Sequence, residues 1–181
     1  MSSRSWRWLF VAVLLAQLLT GCRKRAGRML VRASVAAPTG PVAFSAAGLA
    51  KLPMTMTLTN SGNVPVAVSA FAPGNISVQR VRCSGVDLLP EDSLVPAFAP
   101  PSVYAAQAMQ QLAPGAALQV DISGVRSYAE HDGTTTQASY RVPSAGTCTV
   151  NLRYAYAGPD GGHRQVFRGP IDLPAFEVSF Q

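Results

Sequence analysis

Cysteines, histidines and carboxylates are the side chains of this sequence that could do chemistry, and they are few. The 181 residues include 3 cysteines, 2 histidines and 9 aspartates and glutamates. Thiols can accept a lipid, form disulfides or bind metal, while a histidine beside an acid can activate a nucleophile. The sequence has no HExxH, GxSxG, P-loop or GxGxxG segment, which are signatures of peptidase, hydrolase and nucleotide sites. We therefore expect a protein that is not an enzyme and has no cofactor.

One set of residues could still form a catalytic triad. Ser123 or Ser127 could act with His131 and Asp132, since this chemistry needs a hydroxyl, an imidazole and a carboxylate in hydrogen-bonding contact. Adjacent histidine and aspartate are also ordinary turn residues in a polar segment. We favour that interpretation and predict a surface loop over residues 127–136.

Three carboxylates lie close together in the sequence at Asp87, Glu91 and Asp92. Oxygen ligands of this kind suit a calcium ion, but the spacing lacks the alternating Asp or Asn and the Gly of a dedicated calcium loop. A solvated acidic loop is the favoured interpretation. The cysteines have no CxxC or HxxxH spacing and do not supply four close zinc ligands. We expect no metal site.

The first 21 residues have the layout of a secretory leader. Arg4 and Arg7 give a positive start, residues 8–19 are almost wholly apolar, and Thr20 and Gly21 are small. The apolar run is too short for a stable membrane span. The sequence therefore predicts export, with residues 1–21 as a cleaved signal peptide.

The residues at the end of this leader, Leu19-Thr20-Gly21-Cys22, resemble the lipobox of bacterial lipoproteins. The resemblance implies cleavage before Cys22, diacylation of its sulfur and acylation of the new amino end. Each buried methylene contributes about 0.8 kcal/mol, so several acyl chains hold a protein on a bilayer. Residue 23 is not the Asp that retains many Gram-negative lipoproteins in the inner membrane, which implies the outer membrane. An ordinary signal peptide or an uncleaved anchor is the alternative.

Positive charge is concentrated beside this predicted anchor. The part beyond residue 32 carries 8 basic and 9 acidic residues, a net charge of −1. We interpret residues 22–28 as a tether that either contacts anionic headgroups or is simply solvated. Nucleic-acid binding would need a basic face on the folded body, so we expect none. The basic residues near the anchor are Arg23, Lys24, Arg25, Arg28 and Arg32.

Residues 29–181 are predicted to form one all-β domain, an antiparallel immunoglobulin-like β-sandwich of about seven to nine strands. Short runs in which apolar and polar residues alternate are separated by turn-forming Gly, Pro and Asn. The predicted strands are residues 29–35, 52–60, 64–70, 76–83, 118–122, 148–156, 164–168 and 175–180, with a short edge piece at 42–45.

Two finer predictions concern strand pairing. Residues 54–70 read as a hairpin around the turn Asn60-Ser61-Gly62-Asn63. In the strand 76–83 the apolar residues change parity midway, which predicts a bulge near Gln79 or Arg80.

Residues 87–113 are the least regular part of the body and contain several prolines. Within them, Ser102 to Leu112 could be a short helix with Ser102 as the N-cap, or an extended loop. Loops on a rigid scaffold commonly carry binding contacts. We expect this segment to contact a protein partner.

Three stretches follow a pattern similar to bacterial immunoglobulin-like modules, at residues 58–66, 112–115 and 144–150. The chain resembles the β-sandwich pro-domains of some secreted zinc peptidases over about residues 40–156. The resemblance implies the sandwich fold. As an alternative function it implies an inhibitor or pro-domain-like accessory of an envelope or secreted protease, without any catalytic residue.

Cys83 and Cys148 are the cysteines of the predicted body. Two thiols in an oxidising compartment tend to pair, and a bridge closing so long a loop contributes about 4 kcal/mol on the chain-entropy account. Cys148 lies on the apolar side of its strand, which suits a bridge across the core. Two separate buried thiols are the alternative.

These features predict a non-catalytic lipoprotein of the bacterial envelope, most consistent with the outer membrane. Its expected partners are the lipid bilayer, through acylated Cys22, and a protein that its body binds or supports.

Overall fold

The computed structural model describes residues 27–43, 52–72, 74–94, 101–122, 126–131 and 134–181. The leader, Cys22 and the tether up to residue 26 lie outside the described residues. The described part is an all-β, antiparallel, sandwich-like fold with one short helix, as the alternation of apolar residues predicted.

The described part of the chain contains thirteen strands and one helix, α1 (Pro101–Gln107). Seven of the eight predicted strands are confirmed, and the additional strands are short or polar. The strands are β1 (Val31–Ala36), β2 (Thr55–Asn60), β3 (Val66–Ser69), β4 (Ile76–Cys83), β5 (Val86–Asp87), β6 (Glu91–Leu94), β7 (Met109–Leu112), β8 (Ala117–Asp121), β9 (Arg126–His131), β10 (Thr134–Ser139), β11 (Gly146–Tyr154), β12 (Ile171–Asp172) and β13 (Phe176–Phe180).

One layer of the sandwich is a three-stranded antiparallel sheet with β2 between β1 and β8. Met56 and Leu58 of β2 are fully buried, whereas the threonines between them are half-exposed. Successive side chains of a strand point to opposite faces. One face of this sheet therefore packs in the core, and the other is exposed to solvent.

The other layer is built around β11. Strand β4 pairs with one edge of β11, while β13 and β12 share its other edge, and β5 extends the sheet beyond β4. Every second residue of β11 is buried. The buried faces of both sheets meet in one hydrophobic core, with Val31, Met56, Leu58 and Val120 from the first sheet and Val81, Val150, Leu152, Val178 and Phe180 from the second.

The predicted bulge in β4 is confirmed at Gln79. Asn151 of β11 lies opposite Arg80, but the next residue, Leu152, lies opposite Val78. One extra residue in β4 therefore reverses the parity of its side chains, which keeps both Ile76 and Val81 in the core.

The chain links the two sheets at one side of the sandwich through Val42. Its amide donates to Ser179 O at 2.8 Å, and its carbonyl accepts from Gln181 N at 3.0 Å. The result is a parallel bridge between Val42 and Phe180. Residues 42 and 43 of the predicted edge piece 42–45 are described, and they contribute only this single bridge.

The predicted hairpin over residues 54–70 is wrong, because β2 and β3 belong to different sheets. Strand β3 pairs with β7 and is bridged on its other edge to Val166. All four residues of β3 are buried, so it is covered on both faces rather than half-exposed. The predicted strand 164–168 contributes only that single bridge.

Asn60 explains why the turn residues did not make a hairpin. Its buried amide donates to Val64 O at 2.8 Å and to Leu112 O at 3.0 Å, and its Oδ1 accepts from Gly62 N at 2.9 Å. These bonds tie the end of β2 to the sheet of β3 and β7. The asparagine therefore directs a crossing between sheets.

The predicted surface loop over residues 127–136 is also wrong. Strands β9 and β10 form an antiparallel hairpin, and β10 pairs with β6 on its other side. The prediction of a loop rested on the polar composition of this segment, and the two strands are polar and lack the alternation of apolar and polar residues that predicts a strand. The dipeptide Asp132-Gly133 between them is a hairpin signal in its own right.

The segment 102–112 is part helix and part strand, which neither alternative described. The helix α1 begins at Pro101, one residue before the predicted N-cap Ser102, and proline is common at the first helical position. It ends at Gln107, and β7 follows.

Candidate functional site

The predicted pairing of Cys83 and Cys148 is confirmed as a disulfide. The two residues lie directly opposite each other on β4 and β11, with a Cα–Cα distance of 4.0 Å. The prediction of a bridge across the core is wrong in its placement. The disulfide joins neighbouring strands of one sheet, because the register places the two cysteines directly opposite each other and therefore on the same face.

A tight hairpin follows the disulfide and leads into β5. Ser84 and Gly85 both have positive φ, at 49° and 83°, which is the conformation of a type I′ turn. The pairing continues beyond β5, since Leu88 N donates to Val81 O at 2.8 Å. The Ser-Gly dipeptide is a turn signal that could have located this hairpin from the sequence.

Residues 86–89, which we call the edge segment, expose two large apolar side chains. Val86 is 65% exposed and Leu89 is 85% exposed. Between them, Leu88 packs against the hydrophobic core. The backbone is therefore held firmly while two apolar groups remain in solvent.

The acidic residues of the predicted cluster face arginines. Asp87 accepts two hydrogen bonds from Arg80, both at 2.8 Å, and these bonds lower the pKa of the Asp87 carboxyl. Glu91 lies 3.6 Å from Arg141, and the side chain of Asp92 is outside the described residues. Among the described residues, no group of three potential ligands could hold a metal ion.

The alternative catalytic triad falls largely outside what the structure describes. Ser127 and His131 both lie on β9, and four residues of extended strand separate their Cα atoms by about 13 Å. The side chains of both residues lie outside the described part of the chain. Ser123 and Asp132 lie outside the described residues.

Buried polar groups hold the far end of β11, which we call the tyrosine end. The Tyr154 hydroxyl lies 3.3 Å from Ser69 N and 3.4 Å from Ser69 O, and burial raises the pKa of Tyr154 to about 12. Ser69 Oγ donates to Ala105 O at 2.8 Å. Asn75 Nδ2 donates to Phe71 O at 2.7 Å. These bonds join β11, β3, α1 and the loop before β4.

The loop after β11 is clamped by Tyr156 and Arg168. Tyr156 donates to Pro159 O, and the Arg168 guanidinium lies over its ring, 5.7 Å from the centroid. Arg168 also donates to Gly158 O at 2.7 Å and pairs with Asp160. Burial raises the pKa of Tyr156. These contacts account for both side chains as structural groups.

Cys22 lies outside the described residues, so its predicted lipidation remains a prediction. In the described part of the chain, no helix has the length and apolar character needed to cross a bilayer.

Comparison with known proteins yields no relative for this chain: no family model, curated protein or solved structure matches it. The resemblance to peptidase pro-domains therefore stays a prediction.

Proposed function

We propose that this protein is a lipid-anchored, non-catalytic binding module of the bacterial envelope. Acylated Cys22 holds it on the outer membrane, and the edge segment 86–89 contacts a protein partner. The motif at residues 19–22 supports the anchor, and the exposed side chains of the edge segment support the contact.

The observation that carries the binding role is the exposure of Val86 and Leu89. Removing a valine or leucine side chain from water contributes about 1.5–3 kcal/mol. The edge segment is fixed by the adjacent disulfide and the type I′ turn, so a partner would find it already ordered, which reduces the entropic cost of binding.

The proposed surface overlaps the predicted segment 87–113 only at residues 87–89. Ala105 and Leu112 are buried in the body, and Tyr104 leans on Phe71 with their ring centroids 5.7 Å apart. Tyr104 remains 40% exposed, but among the described residues Val86 and Leu89 of the edge segment are the most exposed large apolar side chains.

Charge substitution in the edge segment tests the contact. We expect Leu89→Asp and Val86→Asp each to reduce partner capture from solubilised envelope fractions by at least about ten-fold, the equivalent of about 1.4 kcal/mol. Gln119→Asp, on the exposed side of β8, is the matched control and should leave capture unchanged. Capture that falls equally in all three variants, or in none, would refute this assignment.

The anchor is tested separately at the amino end. Mass analysis of the mature protein should find a chain that begins at Cys22 and carries acyl groups. Cys22→Ser should abolish acylation and processing at this position. A native protein that keeps residues 1–21, or carries an unmodified thiol at position 22, would contradict the proposal.

A further inference from the structure

The chain enters the folded body at a defined place. Arg28 N donates to Asn63 Oδ1 at 2.6 Å, Asn63 N donates to Arg28 O at 3.1 Å, and Ser61 N donates to Leu30 O at 2.7 Å. A Cβ at Gly62 would overlap the carbonyl oxygen of Arg28, so glycine permits this close approach. The body therefore begins at Arg28.

A third loop lies beside this entry point. Gly115 N donates to Asn60 O at 2.8 Å, and Asn60 N donates to Ala116 O at 3.0 Å. Residues 27–30, 61–64 and 113–116 thus form one end of the sandwich, which we call the tether end. Its sequence contains no aspartate or glutamate.

The tether is short. Six residues lead from Cys22 to Arg28, and even fully extended they span only about 20 Å. If Cys22 is acylated, as proposed above, the tether end is the part of the body held closest to the bilayer.

Charge is distributed to match that placement. In the sequence, residues 22–32 contain 5 basic and no acidic residues, whereas residues 33–181 contain 8 basic and 9 acidic residues. Arg28 and Arg32 are exposed, and neither guanidinium has a carboxylate partner among the described residues. Arg80 and Arg153, by contrast, form ion pairs with Asp87 and Asp172.

The two ends of the first sheet also differ in charge. Arg32 lies in the row that pairs with Thr59, while Asp121 lies in the row that pairs with Thr55. Four residues separate the two rows, about 13 Å along the strands. The positive end of the sheet is the one nearer the tether.

The disulfide lies toward the other end of the sandwich. Strand β1 runs from the tether end to Ala36, and the chain continues to Val42, which pairs with Phe180. Phe180 is two residues along β13 from Val178, the partner of Cys148. The edge segment, next to Cys83, is therefore remote from the tether.

We infer that the tether end is seated on an anionic bilayer surface. This inference rests on the proposed acylation of Cys22. Arg28 and Arg32 contact lipid phosphates, and Met29, which is 46% exposed, enters the headgroup region. The edge segment then points away from the membrane, where a protein partner can reach it.

Single tryptophan probes test the seating on the whole mature protein. Both native tryptophans, Trp6 and Trp8, belong to the leader, so the mature chain has none. Met29→Trp and Val86→Trp each place one probe at an exposed apolar site, at the tether end and beside the disulfide respectively. The acylated variants are extracted from membranes and reconstituted in phosphatidylglycerol vesicles that contain brominated lipid.

We expect the brominated lipid to quench the Met29→Trp probe and leave the Val86→Trp probe unquenched. Arg28→Gln and Arg32→Gln, each added to Met29→Trp, should lower the ratio of seated to free body about five-fold, the factor that corresponds to 1 kcal/mol per arginine near an anionic surface. Arg82→Gln, whose guanidinium bonds to Gly85 O at 2.9 Å near the disulfide, is the charge-matched control and should change nothing.

Equal quenching of both probes, quenching of Val86→Trp alone, or no quenching of either in protein that remains bound to vesicles would overturn the seating. So would an effect of Arg82→Gln as large as that of Arg28→Gln. Failure of the anchor looks different, because an unacylated chain shows an unmodified Cys22 by mass and is not retained on vesicles of neutral phosphatidylcholine.

Discussion

Strands β4 and β11 are secured differently at their two ends. At one end a covalent bond joins Cys83 to Cys148. At the tyrosine end, the hydroxyl of Tyr154 and the side chains of Ser69 and Asn75 hydrogen-bond to backbone groups. On the chain-entropy account a disulfide acts largely on the unfolded chain, whereas a buried hydrogen-bond network is sensitive to each partner that is lost.

The two ends also differ in the surface that they present to solvent. The disulfide leaves the neighbouring edge segment ordered even though two of its side chains are in solvent. The tyrosine end uses its polar groups to fasten loops and has no comparable apolar exposure at Ser69, Asn75 or Tyr154, which are all buried. The proposed contact surface therefore lies at the covalently secured end.

Breaking the disulfide should have the largest effect on the stability of the protein. Cys83→Ala with Cys148→Ala, or chemical reduction, should lower the free energy of unfolding by about 4 kcal/mol, since the bridge closes a loop with a sequence separation of 65. Thermal unfolding should then occur about 10 °C lower. An unchanged unfolding temperature after complete reduction would mean that the pairing of β4 with β11 does not depend on the disulfide.

The contribution of the tyrosine end to stability should be lost at high pH. Because burial raises the pKa of Tyr154 from 10 to about 12, the unfolded state ionises first as the pH rises above 10. Stability is therefore fully present below pH 10 and is lost as the pH rises toward 12, by about 3 kcal/mol. Denaturant unfolding at pH 9 to 12 measures this loss.

Tyr154→Phe is the control for that measurement, since it removes the titrating group and should flatten the decline above pH 10. Tyr156→Phe should remove a smaller part of it, because that side chain is less desolvated. A decline identical in the native protein and in Tyr154→Phe would contradict the assignment.

Ser69→Ala tests the same end at neutral pH with a smaller change. The substitution leaves the carbonyl of Ala105 without its donor and the amide of Phe71 without its acceptor, at a cost of about 1–2 kcal/mol. Ser77→Ala, on the half-exposed side of β4, is a matched control and should cost less in denaturant unfolding. An equal loss in the free energy of unfolding for Ser69→Ala and Ser77→Ala would contradict a stabilising role for the buried hydrogen bonds of Ser69.

The ion pair beside the edge segment should matter least for stability. Arg80 and Asp87 are both exposed, and exposed pairs contribute little. Arg80→Gln should leave thermal unfolding unchanged, while the pKa of Asp87 moves up toward its ordinary value in an NMR titration. A large loss of stability would mean that the pair positions the edge segment.

Local patterns predicted much of this fold because they depend on neighbouring residues alone. The alternation of Met56 and Leu58 with threonines, and the change of parity across Gln79, appear in the structure as a half-buried strand and a bulge. The polar strands β9 and β10 were missed because they lack such alternation. For the candidate site, the cysteines were identified from the sequence, but the exposure of Val86 and Leu89 was not. A short apolar stretch before a proline is equally compatible with side chains that are buried in the core.

Alternating residues were enough to predict that the body is made of antiparallel strands and which faces of β2, β8 and β11 are buried, because side chains alternate at every second residue whatever lies opposite. Which strands pair depends on the folded molecule. It separated β2 from β3, used Asn60 for a crossing between sheets, and placed the disulfide within one sheet. Pairing joins residues far apart in the chain and depends on the packing of the whole core, which no local pattern encodes.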